Sequence, residues 1–294
     1  MSSNSVLTYN LFTRVSYRDN NGLIRPHLLY GDQVFNPLGK TFTLSFDTSI
    51  RYCLGWHDLA TSTSHPCPSS ATTDQKYDTC AACQKRTGFN PAFYHAATVS
   101  KQQEQLNQEP HILYLAHFGD TYLKVGISRK KRKLQRLYEQ GARTALILDT
   151  FPTAIVARQY EAQIARLPNM HETTAVRTKR AFLEQPYSAA AAAKLLTNTC
   201  RQIESKLNLS FSTTSPQSFD NVYFAHGYQA QPFTALPNSS QISGTCLGVV
   251  GDILLMQHDD HRLALPLKQL YGYPLTVANT VTSLSLPPQQ ASLF

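Results

Sequence analysis

HILYLAHFGDTYLKVGISRKKRKLQRLYEQGARTALILDTFPTAIVARQYE, residues 111–161, is the stretch whose reading decides the fold of this chain. HILYLAHF and TYLKVGIS are short apolar-rich runs joined by Gly119-Asp120, the pattern of two strands around a turn. KKRKLQRLYEQG then shows apolar residues at helical spacing and closes on Gly141, which predicts an amphipathic basic helix. TALILDTF predicts a third strand. Pro152 opens a second helix, TAIVARQYEAQIARL, with Ile155, Ala157, Ile164 and Leu167 among its apolar positions. The expected order is β-β-α-β-α, and a further helix is expected over AAAAAKLLTNTCRQIESKL, residues 189–207.

Outward from this centre the period changes to two. VLTYNLFTRVSYR, LIRPHLLYG and GKTFTLSFDTSIRYC alternate like strands, with polar turns such as Asp19-Asn20-Asn21-Gly22 between them, and predict a small antiparallel sheet. The polar run QQEQLNQEP, residues 102–110, ends in proline and reads as a linker into the centre. From about residue 212 the chain is β-rich again: NVYFAHGY, GTCLGVVG, DILLMQ and HRLALPLKQL, with a turn at His258-Asp259-Asp260. LPNSS reads as a loop and SLPPQQASLF as a tail. The expected class is therefore α+β, with an N-terminal β region over 1–105, the β-β-α-β-α domain over 106–210 and a small β-barrel or sheet over 211–294.

The 294 residues, 42% of them hydrophobic, suffice for one sizeable core or two to three small domains. A formal charge of +8 and a pI near 9.2 favour polyanions, so nucleic acid is the expected partner. No window supplies roughly 18 apolar residues in a row, and MSSNSVLTYN lacks a basic segment followed by an apolar one. No membrane association is expected, and the expected location is the cytoplasm.

Four of the six cysteines, Cys53, Cys67, Cys80 and Cys83, fall within residues 53–83. The stretch 53–90 is poor in aliphatic residues and needs a staple in place of a core. Cys80 and Cys83 form a C-x-x-C, the short loop that brings two thiolates to one tetrahedral Zn²⁺, while Cys53 and Cys67 are single ligands on longer loops. A structural four-cysteine zinc knuckle is expected, because four thiolates leave no coordination position for water. His57 and His65 are alternative ligands, and buried or redox-active thiols are the competing reading. Trp56 is expected to pack on the zinc loop, with base stacking as its second role. Cys200 and Cys246, far apart, read as small buried hydrophobes.

Residues two apart on a strand share a face, which groups Tyr122, Lys124 and Gly126, with Tyr114 on the neighbouring strand able to lie across from them. Gly126, without a Cβ, would let a phosphate approach the backbone. The basic helix would deliver Arg129, Lys130, Lys131, Arg132 and Lys133 to phosphates, with Arg136 one turn on from Arg132. Glu161, flanked by Ala157, Ala162 and Ala165, has small neighbours and room for a hydrated Mg²⁺ or Mn²⁺.

ILY, nine residues, then KVG, an arginine ten positions further and a glutamate thirty-five after Gly126 resemble the GIY-YIG endonuclease superfamily over residues 111–167. The resemblance implies a mixed sheet flanked by helices, and one divalent ion that assists phosphodiester cleavage. It matches Tyr114 to the first-motif tyrosine, Val125 and Gly126 to the end of the second motif, and Arg136 and Glu161 to the arginine and metal-binding glutamate. Lys124 stands where the superfamily has its second tyrosine, commonly taken as the base, and an unperturbed ammonium is a poor base. Tyr122 or Tyr114 is the expected substitute. Across most of its length the chain also resembles a bacterial family, domain of unknown function 2797, through its cysteine group, YLAHFGDTYLKVGIS, RLYEQGA, HETTAVRTKRAFL and GTCLGVVGDILL. Two main readings follow: a divalent-metal endonuclease centred on Tyr114, Tyr122, Lys124, Arg136 and Glu161, or a DNA- or RNA-binding module without the chemistry. A protein-interaction scaffold is the third.

Overall fold

The computed structural model of the chain describes residues 10–59, 61, 63–74, 76–87, 100–236, 239–284 and 286. The start of the first expected strand, two residues of LPNSS and all of the expected tail but Leu286 lie outside the described residues.

Strands β1 (Phe12–Asn20) and β2 (Leu23–Tyr30) form a hairpin, and β3 (Gln33–Phe35) pairs with β2. Asn21 and Gly22 turn the hairpin with φ of 55° and 83°, a left-handed pair that Asn-Gly adopts with little strain. Strand β4 (Thr41–Phe46), expected in the same sheet, leaves it. Phe42 and Leu44 are fully buried on β4, and a three-stranded hairpin sheet offers them no second layer. Strands β5 (Trp56–Asp58) and β6 (Thr63–His65) and helix α1 (Ala81–Thr87) follow around the cysteines.

The polar run expected as a linker is helix α2 (Lys101–Asn107). The Ser100 hydroxyl caps it by accepting the Gln103 N–H at 3.1 Å, and burial of Leu106 anchors it. Next come β7 (His111–Gly119), β8 (Tyr122–Arg129), α3 (Gln135–Gln140), β9 (Thr144–Phe151), α4 (Ala154–Ala165), β10 (Met170–His171), α5 (Val176–Leu183), α6 (Ala189–Leu207) and β11 (Gln217–Ser218). They form a five-stranded sheet in the order β10-β8-β7-β9-β11, with β7 antiparallel to β8 and β9, and β10 parallel to β8. The basic run is not one continuous helix. Lys130–Arg132 make a 3-10 turn, Lys133 takes φ 47°, and only Gln135–Gln140 are α-helical. Five adjacent cations repel one another along a helix, and here three of them, Arg129, Lys131 and Arg132, reach acidic partners instead.

Every residue of β7 is buried, because the sheet has a layer on each face. On one face Leu113, Leu115, Val125 and Ile127 pack with Ala157 and Ile164 of α4 and Leu196 and Ile203 of α6. On the other, Ile112, Tyr114, Ala116 and Phe118 join the large core shared with β1, β4 and the C-terminal strands.

The C-terminal region begins with helix α7 (Asp220–Tyr223), where a strand over NVYFAHGY was expected. It continues with β12 (Thr234–Ala235), β13 (Gln241–Val250), β14 (Ile253–His258), β15 (His261–Pro266) and β16 (Leu275–Ala278). The six-stranded sheet runs β12-β15-β14-β13-β4-β16, so a strand from residue 41 sits between two from beyond residue 240. Arg143, 1% exposed, ties the regions together. Its Nε and Nη2 donate to the two Asp220 carboxylate oxygens at 2.8 and 2.5 Å, and the rings of Tyr187 and Tyr228 each lie 3.7 Å from its guanidinium carbon. The architecture is α+β. No helix among the described residues is long and apolar enough to cross a membrane.

Candidate functional sites: a cationic face and a cysteine cluster

The register of β7 and β8 sets Tyr114 opposite Gly126 and Ala116 opposite Lys124, all on the same side of the sheet. The Tyr114 ring lies across Gly126: a Cβ there would be 2.4 Å from the phenol oxygen and 2.6 Å from Cζ. The space the sequence left for a phosphate is thus filled by the chain's own phenol. That hydroxyl donates to Gln140 Oε1 at 3.3 Å and feels the charge of the Arg136 guanidinium, both residues coming from α3. Burial raises the phenol above its ordinary pKa despite the Arg136 charge, which leaves Tyr114 a weak candidate base at neutral pH.

Lys124 is half-buried on β8, between Ala116 on one side and His171 of β10 on the other. Burial first, then the charges of Arg136 and Lys179, push its amine down to about 8, against a smaller opposing pull from Glu161 and Glu172. Lys179, from α5, is also lowered by burial, and its Nζ stands 5.9 Å from the Phe118 ring centroid. Among the described residues no carboxylate forms an ion pair with Lys124, Arg136 or Lys179.

The remaining predicted residues are held differently. Tyr122 stacks flat on His171, centroids 4.0 Å apart and planes 3° apart, and donates its hydroxyl to the Thr173 carbonyl at 2.7 Å. Glu161 is 5% exposed on the stripe of α4 that carries Ala157 and Ile164, and it is ion-paired with Arg158. Burial raises its carboxyl, with Arg158 opposing. Its charge reaches Tyr114 and Lys124, but the open surroundings expected from three alanine neighbours are absent. In the basic run, Lys131 binds Glu109 at 2.6 Å with Arg129 at 3.6 Å from the same carboxylate, and Arg132 reaches Glu139 of α3 at 2.6 Å. Lys130 and Lys133 are exposed and without an ion pair among the described residues.

Lys179, Glu172, His171 and Gln140 were not singled out from the sequence. The signal for Lys179 was present: Val176, Lys179, Phe182 and Leu183 are spaced three, three and one apart, one face of a helix, and Leu183 is buried.

The second site is compact. The Sγ atoms of Cys53, Cys67, Cys80 and Cys83 all lie within 4.8 Å of one another, with Cys67 and Cys80 at 4.0 Å. A tetrahedron of thiolates at Zn–S distances of about 2.3 Å has edges of about 3.8 Å, so the four can close on such an ion with small movements. The backbone presets them. Cys53 Sγ accepts N–H bonds from Gly55 at 3.3 Å and Cys80 at 3.1 Å. Gly55 has φ 87°, and a Cβ there would strike the His65 carbonyl at 1.9 Å, so only glycine fits this knuckle turn. Burial raises the Cys53 and Cys83 thiols, while at Cys67 hydrogen bonds from Ser69 and the Ala71 and Ser69 N–H groups outweigh burial and bring the thiol down to about 6. Neither histidine joins the cluster: His57 Nδ1 meets Ser64 Oγ at 3.2 Å and His65 Nε2 meets Thr63 Oγ1 at 3.1 Å. Trp56 stacks on His65 at 4.2 Å, which fastens β5 to β6. These four cysteines can hold a metal ion such as zinc.

The family model described as protein of unknown function (DUF2797) matches residues 39–275. The chain belongs to this family. The DUF2797 span takes in all four clustered cysteines, the whole five-stranded sheet and β4 with β13 to β15, and it begins only after β3. Searches of curated proteins and of solved structures return no match.

Proposed function

We propose that this DUF2797 protein binds nucleic acid across the face that carries Lys124, Arg136 and Lys179, on a core arranged like that of the GIY-YIG endonucleases. The observation that carries the reading is electrostatic: together with burial, the charges of Arg136 from α3 and Lys179 from α5 depress the Lys124 amine on β8, and among the described residues no carboxylate forms an ion pair with any of the three. A polyphosphate backbone would relieve all three at once, and the +8 overall charge draws it in. Exposed Lys130 and Lys133 extend the same field. We assign the cysteine cluster a zinc ion with a structural role, since four thiolates would saturate its tetrahedral shell and leave no position for water, and we place the protein in the cytoplasm, where such thiols stay reduced.

Endonuclease chemistry is the second reading, favoured by the electrostatic coupling of Tyr114, Arg136, Lys124 and Glu161. Glu161 as it stands does not fit a hydrated Mg²⁺ or Mn²⁺, because it is buried and neutralised by Arg158. Binding without hydrolysis is therefore the conclusion.

The test is fluorescence anisotropy with labelled single- and double-stranded DNA and RNA at rising salt. A log-log slope of about −2 to −3 is expected for three phosphate contacts, and Arg136→Ala should reduce its magnitude by about 1. Salt-independent or absent binding would remove the proposal. Cleavage that needs Mg²⁺ or Mn²⁺ and disappears in Glu161→Gln would promote the second reading over it.

A further inference from the structure

We infer that Lys124 is a nucleophile toward abasic sites: its amine condenses with the sugar aldehyde, and the strand then breaks on the 3′ side by β-elimination. The inference rests on the nucleic-acid reading above and names the substrate within it.

A lysine that only binds phosphate works best as a hydrated ammonium on the surface. Lys124 is placed otherwise. It is half-buried in a strand, with the Ala116 methyl on one neighbouring strand and His171 on the other, and the charges of Arg136 and Lys179 act on it. Among the described residues no hydrogen bond or ion pair occupies its Nζ. Desolvation next to other cations is how proteins keep a lysine amine uncharged and ready to attack a carbonyl. The same cations would hold anions, so the carbonyl compound that fits is one carrying phosphates. In nucleic acid that compound is the ring-opened sugar left when a base is lost, an aldehyde with a phosphate on each side. Arg136 and Lys179 stand where those phosphates would be neutralised.

The chemistry balances without an oxidant or a metal. Nζ adds to C1′, and loss of one water gives an iminium. Glu172, exposed and close enough for its charge to act on Lys124, takes the C2′ proton. The electron pair forms the C2′–C3′ double bond, and the C3′–O bond breaks with the downstream strand leaving as a 5′-phosphate end. One water then hydrolyses the imine and restores Lys124, and Glu172 returns its proton.

The experiment is borohydride trapping of the full-length protein on a duplex with a single abasic site, with the undamaged duplex and glyceraldehyde 3-phosphate as parallel arms. The expected result is a covalent protein–DNA adduct on the abasic duplex alone, mapped by peptide mass spectrometry to Lys124. Lys124→Arg keeps the charge and should lose the adduct, whereas Glu172→Gln should keep it and lose strand breakage. Mapping on the wild-type protein decides the matter even if a variant fails to fold. An adduct on Lys179 or elsewhere, trapping with the small aldehyde only, or no trapping overturns the inference. Salt-dependent binding to the undamaged duplex without trapping overturns it while leaving the binding proposal intact, and absence of both removes both.

Discussion

The cysteine cluster and the cationic face each gather side chains from separated elements, and they are held together by opposite means. Around Cys53, Cys67, Cys80 and Cys83 the backbone donates into sulfur and a glycine makes the turn, but little apolar surface is buried: Cys53, Leu59 and Cys83 are the buried hydrophobic residues between β4 and α2 among those described. Around Lys124 the reverse holds. Two hydrophobic layers clamp β7 and β8, so packing fixes the strand that carries Lys124, while among the described residues Lys124, Arg136 and Lys179 have no ion-pair partner. On the reading proposed above, a metal ion would staple the first region, whereas the second is held by packing and would use a ligand for charge.

Metal removal breaks this contrast most severely. Structural zinc contributes on the order of 10–16 kcal/mol to small thiolate sites, so Cys83→Ser or a strong chelator should release the ion and open residues 51–87. Metal analysis together with hydrogen exchange should show protection lost there and retained in β7–β9. Equal loss in both places would mean that the regions are one cooperative unit.

The Arg143–Asp220 pair offers an internal control, a buried charge satisfied by the chain itself. Asp220→Ala strands a fully buried guanidinium and should cost about 3–5 kcal/mol in denaturant titrations, with metal content unchanged. Gly126→Ala tests the packed face more finely. Its Cβ would collide with the Tyr114 ring, for an expected loss of about 1–3 kcal/mol that shrinks markedly in a Tyr114→Ala background. Additive costs would deny the close approach.

The smallest effect is in pH. Lys124 is lowered on folding to about 8, so the fold is penalised while the amine is charged, and the penalty fades as pH rises from about 8 toward the ordinary lysine value of 10.5. A bound phosphate favours the ammonium. Affinity for nucleic acid should therefore be full below about 8 and decline above it, and Lys124→Arg should flatten the profile in anisotropy measured from pH 7 to 9.5.

Much of the architecture was legible in the linear pattern. Periods of two and 3.6 placed β1, β2, β7 to β9, α4 and α6, and cysteine spacing picked out the whole metal-ready set. Helix α2 was misread because Leu106 alone anchors it, a tertiary contact that a polar window does not reveal. The break in the basic run accompanies ion pairs to Glu109, in the loop before β7, and to Glu139, the first of them a contact that short spacing does not reveal. Gly126 was legible as a site of close approach, but the approaching group was Tyr114.

By itself the sequence determined the local elements, the excess of positive charge and the four thiols, because each depends on residue type and short spacing. Only the tertiary structure decided that β4 joins strands from the far end of the chain, that Glu161 is answered by Arg158, and that the charge of Lys179 acts on Lys124. Those facts turn on which charges and apolar faces meet across dozens of residues, and pairing in space has no periodicity along the chain to announce it.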